Sequence, residues 1–203
     1  MKALMLVFAL SSSAIAETPP QQAERFTHIA GFNLADLPSF EALAHVFGPS
    51  PVAHSGDASE SDSRVCYRSQ DGSKVLEFFR GEVHWGFTVR TPTKAQGKCP
   101  ASAALTPEVT NIAGVTLGMM KKEYEAIVGH PTKATAQRVE HEFQYVHVLS
   151  DKELSEQTDR MRKNGYKDIK PEDWRRWDVI ITLKGAFRNE RLDSFTVIRV
   201  ETN

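Results

Sequence analysis

Two helix stops of the same kind stand 81 residues apart in this chain, and they limit what it can fold into. In residues 40–49, Phe40, Leu43, Ala44 and Phe47 fall on one helical face, and Gly48-Pro49 ends the run. The stripe returns as Met120, Tyr124, Ile127 and Val128, closed by Gly129 with Pro131 just beyond. Glycine accepts the left-handed backbone that terminates a helix, and proline cannot continue one. At the same offset Val65-Cys66-Tyr67-Arg68-Ser69 aligns with Val146-His147-Val148-Leu149-Ser150, both rich in strand formers.

A third match changes the spacing. Phe79-Arg80-Gly81-Glu82 followed by Phe87-Thr88-Val89 aligns with Phe187-Arg188-Asn189-Glu190 followed by Phe195-Thr196-Val197, six identities in eleven positions at an offset of 108. Each reads as strand, tight turn, strand, with Gly81 and Asn189 as the residues that tolerate positive φ. The step from 81 to 108 places 27 extra residues between the first and second strands of the second copy. Residues 151–177 fit that insertion, charged and partly helical. The expected fold class is therefore α+β, two tandem repeats with a helix packed on a small antiparallel sheet in each. Repeat 1 spans 31–100 and repeat 2 spans 101–203, and the two sheets can join into one continuous or concave surface. Val83, Trp85, Phe87 and Val89 alternate with His84, Gly86, Thr88 and Arg90, the apolar set facing the helix. The last strand, with Leu192, Ile198 and Val200 opposite Phe195 and Val197, reads as buried on both sides between the repeats.

The first sixteen residues give the compartment. Lys2, an apolar run over 3–10 and Ala14-Ile15-Ala16 make a secretory signal peptide cut after Ala16, too short to anchor in a bilayer. Residues 17–30 follow as a leader segment. The mature protein is expected in the periplasm with no stable membrane anchor, since no cysteine near the cut could take a lipid. In that oxidising compartment Cys66 and Cys99 are expected to form a disulfide; a reactive or metal-binding pair is the alternative, without Cys-x-x-Cys spacing to support it. A formal net charge of -1 provides no global field, so nucleic acid is not an expected partner.

Gly114-Val115-Thr116-Leu117-Gly118-Met119, then Lys121, Glu123 and Tyr124, then Val128-Gly129-His130-Pro131, resembles the helix motif of the SmpA/OmlA outer-membrane assembly proteins. It is also similar to the tandem repeats of the β-lactamase inhibitor protein. The motif covers about 20 residues, and the strand pattern extends the resemblance to about 90 residues of the second copy and more faintly to the first. The resemblance implies paired repeats whose joined sheet grips another protein, with loops reaching into the partner. SmpA/OmlA proteins are usually single-copy lipoproteins, unlike this chain. The inhibitor protein typically carries a disulfide in each repeat, and the second copy here has none.

Catalytic patterns are missing from the sequence: there is no G-x-S-x-G elbow, H-E-x-x-H helix, P-loop or dinucleotide glycine motif. His141 and His147 share a strand face but stand roughly 20 Å apart, too far for one metal ion. They read as ordinary surface or edge residues. Glu123 and Glu125, two apart on a helix, do not face each other and read as solvated charges. No enzyme activity, metal or cofactor is expected. Two segments carry the candidate partner-binding residues. The Pro- and Ser-rich stretch 49–63 reads as an irregular exposed loop bearing Asp57, Glu60 and Asp62. The insertion ends in Trp174, Arg175 and Arg176, the residue types that dominate binding hot spots, whereas Trp177 leads into Val179 and reads as core. The expectation is a binding protein that inhibits or neutralises an envelope toxin or hydrolase, with loop 50–63 or insertion 151–177 covering the partner's active cleft. The alternative is an envelope assembly adaptor.

Overall fold

The computed structural model describes residues 19–56, 62–93, 99–163 and 165–203; the expected signal peptide lies outside them, as do Asp57 and Glu60. Helix α1 (Pro19–Glu24) leads into strands β1 (His28–Ile29) and β2 (Phe32–Asn33), which pair as a small ribbon, and then a 3-10 turn at Leu34–Asp36. Helix α2 (Phe40–Phe47) starts where the Ser39 hydroxyl accepts a hydrogen bond from the Ala42 N–H at 3.1 Å, satisfying one of the first-turn donors. It ends at Gly48, with φ 91° and ψ 171°. Four strands follow: β3 (Ala53–Ser55), β4 (Asp62–Ser69), β5 (Val75–Arg80) and β6 (His84–Arg90). After β7 (Ala101–Ser102) comes α3 (Lys121–Val128), whose Glu123 carboxylate reaches back to the Met120 N–H at 2.7 Å. Gly129 ends it at φ 103° and ψ -164°, beside the value at Gly48 and in a region open only to glycine. Then come β8 (Lys133–Ala134), β9 (Arg138–Val148), α4 (Asp151–Lys163), a 3-10 turn at Pro171–Trp174, β10 (Arg176–Arg188) and β11 (Arg191–Thr202).

The long strands lie in one antiparallel sheet ordered β3-β4-β5-β6-β11-β10-β9-β8, with β7 added in parallel to β4. Each half is a meander, and the halves meet along β6 and β11. At that seam Thr88 faces Thr196, Phe87 faces Val197 and Val89 faces Phe195. The order of residue types is therefore the same read from either side.

One face of the sheet is roofed. Val65, Tyr67, Leu76, Phe78, Phe87, Val89, Val179, Ile181, Leu183 and Val197 point to it and are almost fully buried. Phe47 of α2 packs 4.9 Å from the Tyr67 ring and 5.9 Å from Phe78. Tyr124 of α3 meets Phe187 at 5.5 Å and Phe195 at 5.9 Å, edge to face. The Cys66–Cys99 disulfide forms, with Cα atoms 5.2 Å apart, and ties the segment before β7 to β4. Closing a loop of 33 residues removes about 3 to 4 kcal/mol of denatured-state entropy in the chain-entropy model.

Several strand-level expectations need correcting. Asn189 and Glu190 have φ of 51° and 61°, but Gly81 does not take positive φ. Its lack of a side chain serves close approach instead: a Cβ there would lie 2.2 Å from the His84 ring and 2.9 Å from an Asp62 oxygen. Phe79 sits opposite Gly86, whereas Phe187 sits opposite Leu192 beyond a bulge at Ala186/Phe187. Phe187 thus points at Tyr124, while Phe79 turns to the other face over Arg64. A one-residue slip reverses the face a side chain serves, so the Phe-Arg identity is not a structural equivalence. The same bulge places Leu192 in the core, on the opposite side from its expected neighbours Ile198 and Val200. Val146 and Val148 are 43 % and 55 % exposed, unlike buried Val65. Residues 53–55, expected to be irregular, pair with 62–64 of β4. His141, expected at the surface, is buried.

Candidate binding site

The insertion does not project away from the sheet. Helix α4 buries Leu154, Thr158 and Met161 and stands as one wall of a cleft of about 940 Å³ on the roofed side. The facing wall is the segment from His28 to Leu37, and the hairpin bend with Arg80, Glu82 and Val83 closes one end. The floor comes from four adjacent strands: Trp85 of β6, Arg199 and Glu201 of β11, Trp177 of β10, and Tyr145 and His147 of β9. These residues share a floor because each sits on the core-facing register of its strand, just past the end of the apolar core.

Arg199 organises the floor. It is only 5 % exposed, and it donates to Glu24 of α1, to Glu201 at 2.7 Å and to the Tyr145 hydroxyl at 3.3 Å. Tyr145 in turn donates to Glu24, and the Thr27 hydroxyl donates to the other Glu24 oxygen at 3.2 Å. A charge so far from water needs such a set of partners, because an unpaired buried ion costs several kcal/mol. On the α4 wall Glu153 lies 3.7 Å from His147. Hydrogen bonds from the Ser150 hydroxyl and N–H hold the Glu153 carboxyl below its ordinary pKa. Arg80 lies over the Trp85 ring at 5.1 Å, within cation–π range. Six carboxylates line the cleft against three guanidiniums and two histidines. Among the described residues that line it there is no serine, threonine, cysteine or lysine.

Among the described residues no helix lies on the other face of the sheet. Ile180, Thr182, Ile198 and Val200 lie half-buried at its centre, and Thr88 and Thr196 sit at the seam. Toward one end Asp62 pairs with Arg64 at 3.2 Å and with His84 at 3.4 Å, and Glu77 joins Arg64 to Arg90. Asp62 is therefore one member of a charged row on the uncovered face.

Trp174, Arg175 and Arg176 form the neck of the insertion. The Arg175 guanidinium reaches Glu172 at 2.8 Å, Asp151 at 3.0 Å and the Leu149 carbonyl at 3.3 Å, joining the two ends of the inserted segment. The Trp177 indole donates to the Trp174 carbonyl at 2.9 Å, with the rings 5.9 Å apart. The exposed Arg176 offers its carbonyl to Asn203 at 3.0 Å. Three strands separate Asp62 from this neck, so the structure does not bring the two candidate groups together. The cleft itself escaped the sequence reading. Its one signal there was Arg199, a charge in phase with buried Phe195 and Val197.

These features define an α+β protein on one large, mostly antiparallel sheet whose described helices lie on one side. Among the described residues no helix is long and apolar enough to cross a membrane. Comparison of the chain with protein-family models, curated proteins and solved structures gave no significant match.

Proposed function

We propose that this chain is a non-catalytic periplasmic binding protein, built from two copies of one helix-and-meander unit, that docks its uncovered sheet face on another protein. The observation that carries the reading is that face. Eight strands in the main path present a broad surface with half-buried aliphatic side chains at its centre and a charged row beside them, and among the described residues no helix lies on it. A rigid sheet loses little entropy on docking, which favours affinity. The duplication is supported by the matching helix stops at Gly48 and Gly129 and by the pairing of Thr88 with Thr196. The similarity to tandem inhibitor repeats adds the expectation that the partner is an envelope hydrolase or toxin blocked by occlusion. The insertion supports that reading only as scaffold, since its helix packs on the insertion's own 3-10 turn and walls the cleft on the roofed side.

The test is affinity capture from envelope extract with the full chain and with an Ile180→Arg/Ile198→Arg variant. An inhibitor should hold one enzyme or toxin, lower its activity, and release it when the two arginines are introduced. Equal capture by both proteins would remove the sheet face from consideration. A set of outer-membrane assembly components in place of one enzyme would favour the adaptor reading.

A further inference from the structure

The sheet-docking role leaves the cleft without a use, and the cleft lies on the opposite side of the sheet. We propose that it binds an elongated organic cation carrying at least two ammonium or guanidinium groups. Its volume of about 940 Å³ falls at the upper end of the range for drug-sized ligand sites, roughly 300 to 1,000 Å³.

The sign of the ligand follows from which charges are already committed. Arg199, the one buried cation of the floor, is taken up by Glu24, Glu201 and Tyr145, so its charge is already offset by two carboxylates. Glu153 is engaged with Ser150 and His147. Three further carboxylates stand on three separate walls: Asp36 in the 3-10 turn, Glu82 in the hairpin bend and Glu156 on α4, whose exposed ion pair with Lys152 is long at 3.8 Å and worth little in water. Against them stand Arg160 and Arg80, and Arg80 is laid over Trp85. Carboxylates spread around the rim match charges spread along a chain better than one point charge. Trp177 and Tyr145 supply aromatic surface for the intervening methylenes and for cation–π contact. The floor is held in place by its own hydrogen bonds, so a ligand would meet a site already formed.

Such a cation could be a free polyamine or the basic side chains of a peptide, and titration of the full chain at low ionic strength separates the two. One arm uses spermine against an uncharged diol of equal length. The other uses a Lys/Arg hexapeptide against its fully acetylated or citrulline counterpart. The expected result is binding of at least one cationic probe in preference to its control. Raised salt should weaken it, and Asp36→Asn/Glu82→Gln/Glu156→Gln should weaken it by about tenfold or more. All three side chains are exposed, so the melting temperature of that variant should hold. Spermine alone would mark a small-molecule site; the hexapeptide alone would mark a receptor for a basic segment. Lack of preference for either cation, or a triple variant that binds as well as the parent, would overturn the proposal. The Ile180→Arg/Ile198→Arg variant, altered only on the far face, should keep the cation and lose the protein partner, so the two readings fail separately.

Discussion

Thr88 and Thr196 face each other across the β6/β11 seam, with their hydroxyl oxygens 2.9 Å apart. The contact joins the two halves of the sheet at the point where their residue order coincides. Both side chains are only partly buried, so water can replace a lost partner. Thr88→Val and Thr196→Val should each cost about 0.5 to 1 kcal/mol in urea unfolding, and the double variant about as much as either single one. Additive losses would mean that the hydroxyl pair contributes nothing as a pair.

The helix stops give a second symmetric test. Gly48 and Gly129 have almost the same backbone angles, and nothing lies within 4 Å of a Cβ built on either. Alanine would meet no clash at either position, only an unfavourable backbone. Gly48→Ala and Gly129→Ala should therefore lose similar amounts, about 1 to 3 kcal/mol each, in denaturant melts. A loss at one stop alone would break the proposed equivalence of α2 and α3.

What the sequence disclosed follows from how local each signal is. Helix stops depend on a glycine and its neighbours, and both were readable. Hairpins were readable as hairpins too. Register was not, because a bulge at Ala186/Phe187 shifts the pairing without leaving a mark on composition. Phe79 and Phe187 look equivalent in the chain and serve opposite faces of the sheet. The cleft was hidden for a different reason. Glu24, Tyr145 and Arg199 are separated by as many as 175 residues, and only the order of strands brings them together.

Arg199 should behave as the keystone of that cleft floor. Arg199→Met keeps the bulk but leaves Glu24, Glu201 and the Tyr145 hydroxyl without their shared donor. The loss should be about 2 to 4 kcal/mol, below the fully buried case because each carboxylate side chain is 28 % exposed. Adding Glu201→Gln should recover part of it, since one of the two uncompensated charges disappears. If the double variant is less stable than the sum of the single changes predicts, the network is not held together by charge.

His141 makes stability depend on pH in a definite direction. It is 1 % exposed, its Nε2 lies 3.0 Å from the Gly129 carbonyl, and its Nδ1 has no partner. That geometry assigns the proton of the neutral ring to Nε2, donating to the carbonyl that follows α3. Burial holds the imidazole below its ordinary pKa of 6.5, and nearby His130 pushes the same way, while the Gly129 bond and Glu125 oppose them. The unfolded chain, at the ordinary value, therefore takes up the proton first as pH falls. The stability contributed by neutral His141 is complete above about pH 6.5 and is lost from there down to the lowered folded-state value, with a slope of at most about 1.4 kcal/mol per pH unit. His141→Phe should be less stable than the parent at pH 8 by about 1 kcal/mol, for the missing bond to Gly129. Between pH 6.5 and 5 the two curves should converge, because only the parent has this group to titrate. Parallel urea-melt stabilities across that range would show that the buried ring carries no such dependence.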